Sequence, residues 1–169
     1  MIIKQFDLKK NIIREINFFL LYGKNIGLIE DTIKNSLKPI LSKNIFNYEE
    51  NDILKNIPSF RENLVNKSFF ESEKLIIINR VTDRLFNLIK ELTDQNIRDI
   101  SIILVSDGLE KKSKIRNFFE KSKQTICIPF YEDNIQTLSL VAQKFLRERK
   151  IDVSQQDLNT LAERAKGDR

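Results

Sequence analysis

Five short apolar runs set the first constraint on this chain. They are Asn17 to Tyr22, Ile45 to Tyr48, Leu75 to Ile78, Ile100 to Val105 and Thr125 to Phe130. Neighbouring residues of a strand point to opposite faces, so a run that is apolar at nearly every position must be covered on both sides. Leu75-Ile76-Ile77-Ile78 is the purest run and reads as a central strand. Stretches with helical spacing lie between the runs. Ile29, Ile33, Leu37, Ile40 and Leu41 make one stripe over Leu28 to Leu41, and Val81, Leu85, Leu88, Ile89 and Leu92 make another over Val81 to Gln95. Asp7 to Ile16, with Leu8, Ile12, Ile13 and Ile16, and Ser113 to Ser122, with Ile115, Phe118 and Phe119, are also expected to be helical. Strand and helix alternate, which predicts an α/β domain built on a parallel sheet with helices on both faces.

Local signals place the remaining boundaries. Pro39 is expected to distort the last turn of its helix. Asp52 is expected to cap a brief helix that stops at Pro58, and Ser59 with Glu62 has capping-box spacing for a second. Past Tyr131 the pattern is helical only. Asp133 and Gln136 read as a cap pair, followed by a stripe of Leu138, Val141, Ala142, Phe145 and Leu146. A further helix starts at Ser154 and carries Leu158, Leu161, Ala162 and Ala165. Residues 1–131 are read as one α/β domain and 132–169 as the start of a helical second domain that is cut short.

Composition excludes several chemistries. The chain has no His and a single Cys, so neither a zinc site nor a His-based triad is available. Cys127 lies within a strand-like run and reads as a small buried hydrophobe; it can make no intrachain disulfide, as expected in a reducing cytoplasm. The first residues lack signal-peptide architecture, and no apolar run approaches the roughly 20 residues of a membrane helix. The formal net charge of +5 is dispersed, without five like charges in a row, and is read as solvated surface. A weak attraction to nucleic acid or an acidic partner stays open.

Two strand ends bear on phosphate chemistry. Gly23 follows the first strand and opens Gly23-Lys24-Asn25-Ile26-Gly27-Leu28-Ile29-Glu30-Asp31. A phosphate loop needs Gly-Lys-Ser/Thr at the helix start, whereas Gly27 is followed by Leu28 and Ile29. The loop reads as a phosphate loop without its ligands, and a plain strand-to-helix turn fits as well. The Leu75 strand ends in Asn79-Arg80, where nucleotide hydrolases carry acidic residues for magnesium. Asp107-Gly108 reads as a turn, and the basic stretch Leu109 to Ile115 as a solvated helix start.

The pair Phe69-Phe70 stands between the Ser59 helix and the Leu75 strand, with polar or charged neighbours on both sides. Adjacent residues do not share a face on a strand and are about 100° apart on a helix. Two readings stay open: a plug under the sheet, or a hydrophobic anchor for a partner protein.

Four stretches in order resemble the N-terminal part of the delta subunit of the bacterial DNA polymerase III clamp loader. They are Phe19-Leu20-Leu21-Tyr22-Gly23 with Leu28-Ile29-Glu30; Ser68-Phe69-Phe70 with Glu73-Lys74-Leu75-Ile76-Ile77-Ile78; Ile103-Leu104-Val105 with Leu109-Glu110-Lys111-Lys112-Ser113-Lys114; and Leu161-Ala162-Glu163 with Gly167-Asp168. The third is the most specific. The resemblance implies an AAA+ domain, then a helical lid, then a collar that this chain lacks. It implies a subunit that binds no ATP, cofactor or metal. Such a subunit belongs to a DNA-directed DNA polymerase holoenzyme, a nucleotidyltransferase, without being an enzyme itself. It binds the ring-shaped sliding clamp (the beta subunit) and helps open it for loading onto primed DNA during replication. Clamp contacts would then fall on Leu64, Lys67, Phe69 and Phe70. Many relatives carry an apolar residue just before the serine; this chain has Lys67. Other loader subunits would be partners of the full-length protein, and the chain without its collar is expected to be monomeric and cytoplasmic. The alternatives are an ATP-hydrolysing loader subunit, a receiver- or flavodoxin-like domain, and a basic nucleic-acid-binding module. The first would carry Gly-Lys-Thr, a cysteine quartet and Ser-Arg-Cys, and none of these is in the sequence.

Overall fold

All five apolar runs become strands of one parallel sheet. The structure, a computed structural model, describes residues 1–3, 8, 16–41, 44–65, 73–95 and 99–165. The strands are β1 (Phe18–Gly23), β2 (Ile45–Glu49), β3 (Lys74–Asn79), β4 (Ile100–Ser106) and β5 (Thr125–Phe130), in the spatial order β2-β3-β4-β1-β5. β1 pairs with both β4 and β5, so Leu20 lies between Leu104 and Cys127. Every pairing in the sheet is parallel. Met1 to Ile3 lies along the outer edge of β5, with the Ile3 amide donating to the Cys127 carbonyl at 3.0 Å.

The period-two pleat divides the core into two layers. Phe18, Leu20, Ile76, Ile78, Ile102, Leu104 and Cys127 face one side, and Phe19, Leu21, Leu75, Ile77, Ile103, Ile126 and Ile128 the other. The first face is covered by α3 (Glu50–Lys55), α4 (Ile57–Val65), α5 (Phe86–Asp94) and α6 (Lys114–Lys121), through Ile53, Phe60, Leu64, Leu88, Ile89, Leu92, Ile115 and Phe119. The second is covered by α1 (Ile26–Thr32) and the π-helical turn Ile33–Leu37, through Ile29, Ile33 and Leu37. The turn leads into α2 (Lys38–Leu41). Leu8 and Ile16 add to this layer; the rest of the expected Asp7 to Ile16 helix lies outside the described residues. β2 is an edge strand, and its side chains are half exposed rather than fully covered.

Several expected boundaries move. Pro39 acts one turn earlier than expected. Having no amide hydrogen, it is preceded by a widened turn in which the Lys38 amide bonds Ile33 O, five residues back. Asp52 is not a cap, because α3 begins at Glu50. Pro58 does not stop a helix but sits in the first turn of α4, where its missing donor costs nothing. That helix is capped by Asn56, whose Oδ1 accepts from the Ser59 amide at 3.1 Å, and not by the Ser59–Glu62 pair. The cap expected at Asp133 shifts by one residue: Asn134 and Thr137 form a reciprocal capping box at the start of α7 (Ile135–Glu148). Ser154 caps α8 (Gln155–Ala165) as expected, accepting from the Asp157 amide at 3.2 Å. α7 and α8 pack on each other, with Leu138, Leu158 and Ala162 buried.

Gly23 is the residue that most constrains the carboxyl end of the sheet. Its φ of +142° is disfavoured for any other residue, and a Cβ placed there would lie 1.8 Å from the Phe130 carbonyl oxygen. Gly23→Ala is therefore expected to cost about 3 kcal/mol or more of folding stability, read as the shift of the urea midpoint.

Candidate functional site

The loop after β1 closes on protein atoms. Asn25 is buried and caps α1, its Oδ1 accepting from the Leu28 amide at 3.0 Å. Its Nδ2 donates to Tyr131 O at 3.1 Å and to Asp133 Oδ2 at 2.7 Å, tying the helix start to the segment that leads into α7. The side chain of a capping residue thus stands where a phosphate oxygen would accept in a working loop. A cleft of about 830 Å³ opens beside it, lined by Lys24, Glu132, Asp133, Gln136, Ala162 and Glu163 among others. Three carboxylates against one lysine are not complementary to a polyphosphate. The sequence pattern alone does not single out Asn25 as this cap, although an Asn three residues before Leu28 is a recognisable signal.

The neighbouring strand ends are also occupied. Arg80 follows β3 with φ 56°, its side chain 84% exposed and its Nε 3.5 Å from Glu49. Glu50 is buried and accepts from the Thr82 amide at 2.8 Å and the Thr82 hydroxyl. Where a turn is expected at Asp107-Gly108, the chain bends at Asp107 beyond β4. A second cleft, of about 390 Å³, lies over the ends of β1, β4 and β5. On its floor the Arg116 guanidinium stacks over Tyr22 with 4.9 Å to the ring centroid and bonds Glu120 at 2.8 Å. Burial, first of all, pushes the Tyr22 hydroxyl up to about 12, against the pull of the Arg116 guanidinium. Burial also pushes the Cys127 thiol up to about 12, so it remains a thiol at neutral pH and is a poor nucleophile.

The Leu109 to Ile115 stretch is organised by a partner far away in sequence. Ser113 caps α6, accepting from the Arg116 amide at 3.2 Å. Asp83, thirty residues earlier, accepts from the Ser113 hydroxyl at 2.6 Å and from the Lys114 and Ile115 amides at 2.9 and 3.0 Å. No local pattern reveals Asp83, because its partners lie on another element. The lysines beside Ser113 (Lys111, Lys112 and Lys114) are exposed.

Of the expected clamp contacts only Leu64 is among the described residues, in α4, whose last turn meets the amino-terminal end of β3. Leu64 is 2% exposed and belongs to the core layer under α4. Lys67, Phe69 and Phe70 lie outside the described residues. The described residues on either side are tied together. Lys74, at the start of β3, is buried and donates from Nζ to Asn63 O in the last turn of α4 at 3.1 Å. The same ammonium lies 5.6 Å from the Phe46 ring centroid.

No family model matches the chain, and no curated protein matches it. Solved structures do. The Bacillus subtilis DNA clamp loader delta protein YqeN superposes with a TM-score of 0.59 at 12% identity, over 92% of this chain and 50% of that one. The fold is of the AAA+ type. Domain III of the Thermotoga maritima replication initiation protein DnaA also matches, with a TM-score of 0.47 at 17% identity over 94% of this chain and 72% of that one. This chain thus spans half the length of the clamp-loader structure that it resembles. No helix among the described residues is long and apolar enough to cross a membrane.

The cap at Asp83 makes a pH-dependent contribution. Partial burial pushes its carboxyl up, but the Ser113 hydroxyl and the two amides outweigh this and hold it below its ordinary value. A depressed folded pKa means the contribution is fully present above the unfolded pKa of about 4 and is lost as pH falls through the folded value. Asp83→Ala is expected to lower stability by about 1 kcal/mol at pH 7. The difference from wild type should shrink steadily from pH 4 towards pH 2 in chemical denaturation.

Proposed function

We propose that this chain is a non-catalytic clamp-loader subunit of the delta type. Its role is to bind the sliding clamp of DNA polymerase III and help open the ring for replication. The observation that carries the proposal is the AAA+ fold, which matches the clamp loader delta protein over 92% of this chain. The four delta-like stretches quoted above support it from the sequence. Residues 1–131 form the clamp-binding AAA+ domain in this proposal, and residues 132–169 begin the lid. Other loader subunits and primed DNA are partners of the assembled loader.

The carboxyl edge of the sheet supports a non-catalytic role. The loop lacks Gly-Lys-Ser/Thr, Asn25 occupies the helix start, and the adjoining cleft is acidic. Neither ATP nor ADP with magnesium, at millimolar concentration, should change the melting temperature. A dose-dependent rise would point instead to the ATP-hydrolysing alternative.

The clamp anchor is Phe69 with Phe70, flanked by Lys67. The bond from Lys74 to Asn63 supports this by fixing the chain where it leaves α4 and where it enters β3. Leu64 holds the end of α4 from within the core rather than touching the clamp. A surface aromatic anchor concentrates binding energy, about 2 kcal/mol or more per ring, or roughly thirtyfold in affinity. Phe69→Ala with Phe70→Ala should therefore abolish clamp binding in surface plasmon resonance and leave the melting temperature near wild type. Leu64→Ala should do the reverse, costing about 2–5 kcal/mol of stability while the residual folded protein still binds. Retained clamp binding by the folded double variant would sink the proposal.

A further inference from the structure

The carboxyl end of α7 and the residues just beyond it gather positive charge. Lys144, Arg147, Arg149 and Lys150 fall within seven residues, with Glu148 the one carboxylate among them. None of the four forms an ion pair among the described residues, whereas Arg61 pairs with Glu91 at 2.6 Å and Arg116 with Glu120 at 2.8 Å. Unneutralised, adjacent cations repel one another unless an anion joins them.

The backbone there is held in a costly conformation. The Lys150 amide bonds Arg147 O at 3.0 Å and the Ile151 amide bonds Leu146 O at 3.0 Å, the two bonds of a Schellman ending. This ending needs a left-handed residue at the position after the cap, where glycine is favoured, and Lys150 takes it with φ 57°. The helix dipole accounts for cations in the last turn. It does not account for a lysine at the one position where a side chain is disfavoured.

An aromatic platform adjoins the cations. The Arg149 guanidinium carbon lies 3.5 Å from the Phe145 ring centroid, and its Nη1 donates to Phe145 O at 3.3 Å. Phe145 remains 52% exposed. A phenyl ring with a guanidinium on one face and solvent beside it is a surface on which an unpaired base stacks.

We propose that the carboxyl end of α7 binds single-stranded nucleic acid, with a base stacked on the Phe145–Arg149 pair and phosphates neutralised by Lys144, Arg147 and Lys150. Single strands are favoured over duplex because a duplex hides its base faces, and the exposed ring has no use for phosphates alone. An acidic peptide or an anionic membrane would use the charge but not the stack.

The test is fluorescence anisotropy of the whole chain with a labelled twelve-residue oligothymidine and with a duplex of equal length. The single strand should bind tighter, with a log–log salt slope of about −2 to −3 for three or four phosphates. Phe145→Ala should weaken single-strand binding roughly five- to a hundredfold while the melting temperature holds. Lys150→Gly should raise the melting temperature, by relieving the left-handed lysine, yet weaken binding and flatten the salt slope by about 0.7. The proposal is overturned if the oligonucleotide does not bind, if Phe145→Ala leaves binding unchanged, or if duplex binds as tightly as single strand. It is also overturned if anionic vesicles or a polyglutamate peptide displace the oligonucleotide at lower concentration than unlabelled oligothymidine. Phe69→Ala with Phe70→Ala should keep oligonucleotide binding, so this site and clamp binding fail or hold separately.

Discussion

Insertion of β1 between β4 and β5 is the interaction on which the rest depends. Phe18 to Tyr22 pairs with Ile102 to Ser106 on one edge, and Phe18 to Gly23 with Thr125 to Phe130 on the other. Both faces of the strand are buried as well, with Leu20 in one core layer and Leu21 in the other. A strand enclosed on four sides leaves its last residue no freedom. The Phe130 backbone lies where a Gly23 side chain would go, so the turn into α1 is glycine by steric necessity. That turn then presents Asn25 to Tyr131 and Asp133, which couples the sheet to the helical pair.

A parallel sheet gathers all its carboxyl ends on one edge, where open α/β folds ordinarily place ligands. Here protein groups occupy that edge. Asn25 fills the start of α1, Asp83 fills the start of α6, and Thr82 satisfies the buried Glu50. Helix starts that would otherwise offer amides to an anion are closed by side chains, α1 by its own cap residue and α6 by Asp83 from another element. The opposite edge is built differently. There Lys74 draws the end of α4 to the start of β3, and its ammonium is satisfied by a helix-terminal carbonyl. The two edges are therefore suited to different work. At one, side chains fill the helix starts beside an acidic cleft; at the other, Lys74 ties the last turn of α4 to the start of β3.

How much the chain reveals by itself differs from element to element. The five strands stand within about a residue of where continuous apolar runs place them, because burial on both faces demands that pattern and few alternatives satisfy it. The amphipathic stripes of α1 and α5 are legible for the same reason. Cap residues are less so. Asn56 rather than Ser59, and Asn134 rather than Asp133, cap their helices, since several polar residues in a row meet the local rule and docking of the helix chooses among them. The strand order β2-β3-β4-β1-β5 has no local signature, and neither has the reach of Asp83 to Ser113.

The candidate sites divide along the same line. That Gly23 to Ile29 lacks phosphate ligands, and that Phe69-Phe70 stands apolar among polar neighbours, are determined by residue identity alone. That Leu64 faces the core, that Asn25 seals the start of α1, and that Lys150 is held left-handed beside a guanidinium–phenyl stack are decisions of the tertiary structure. The reason is physical. Residue type and period act over one or two turns of chain, whereas burial, a distant cap and backbone strain depend on what another part of the chain brings within a few ångströms.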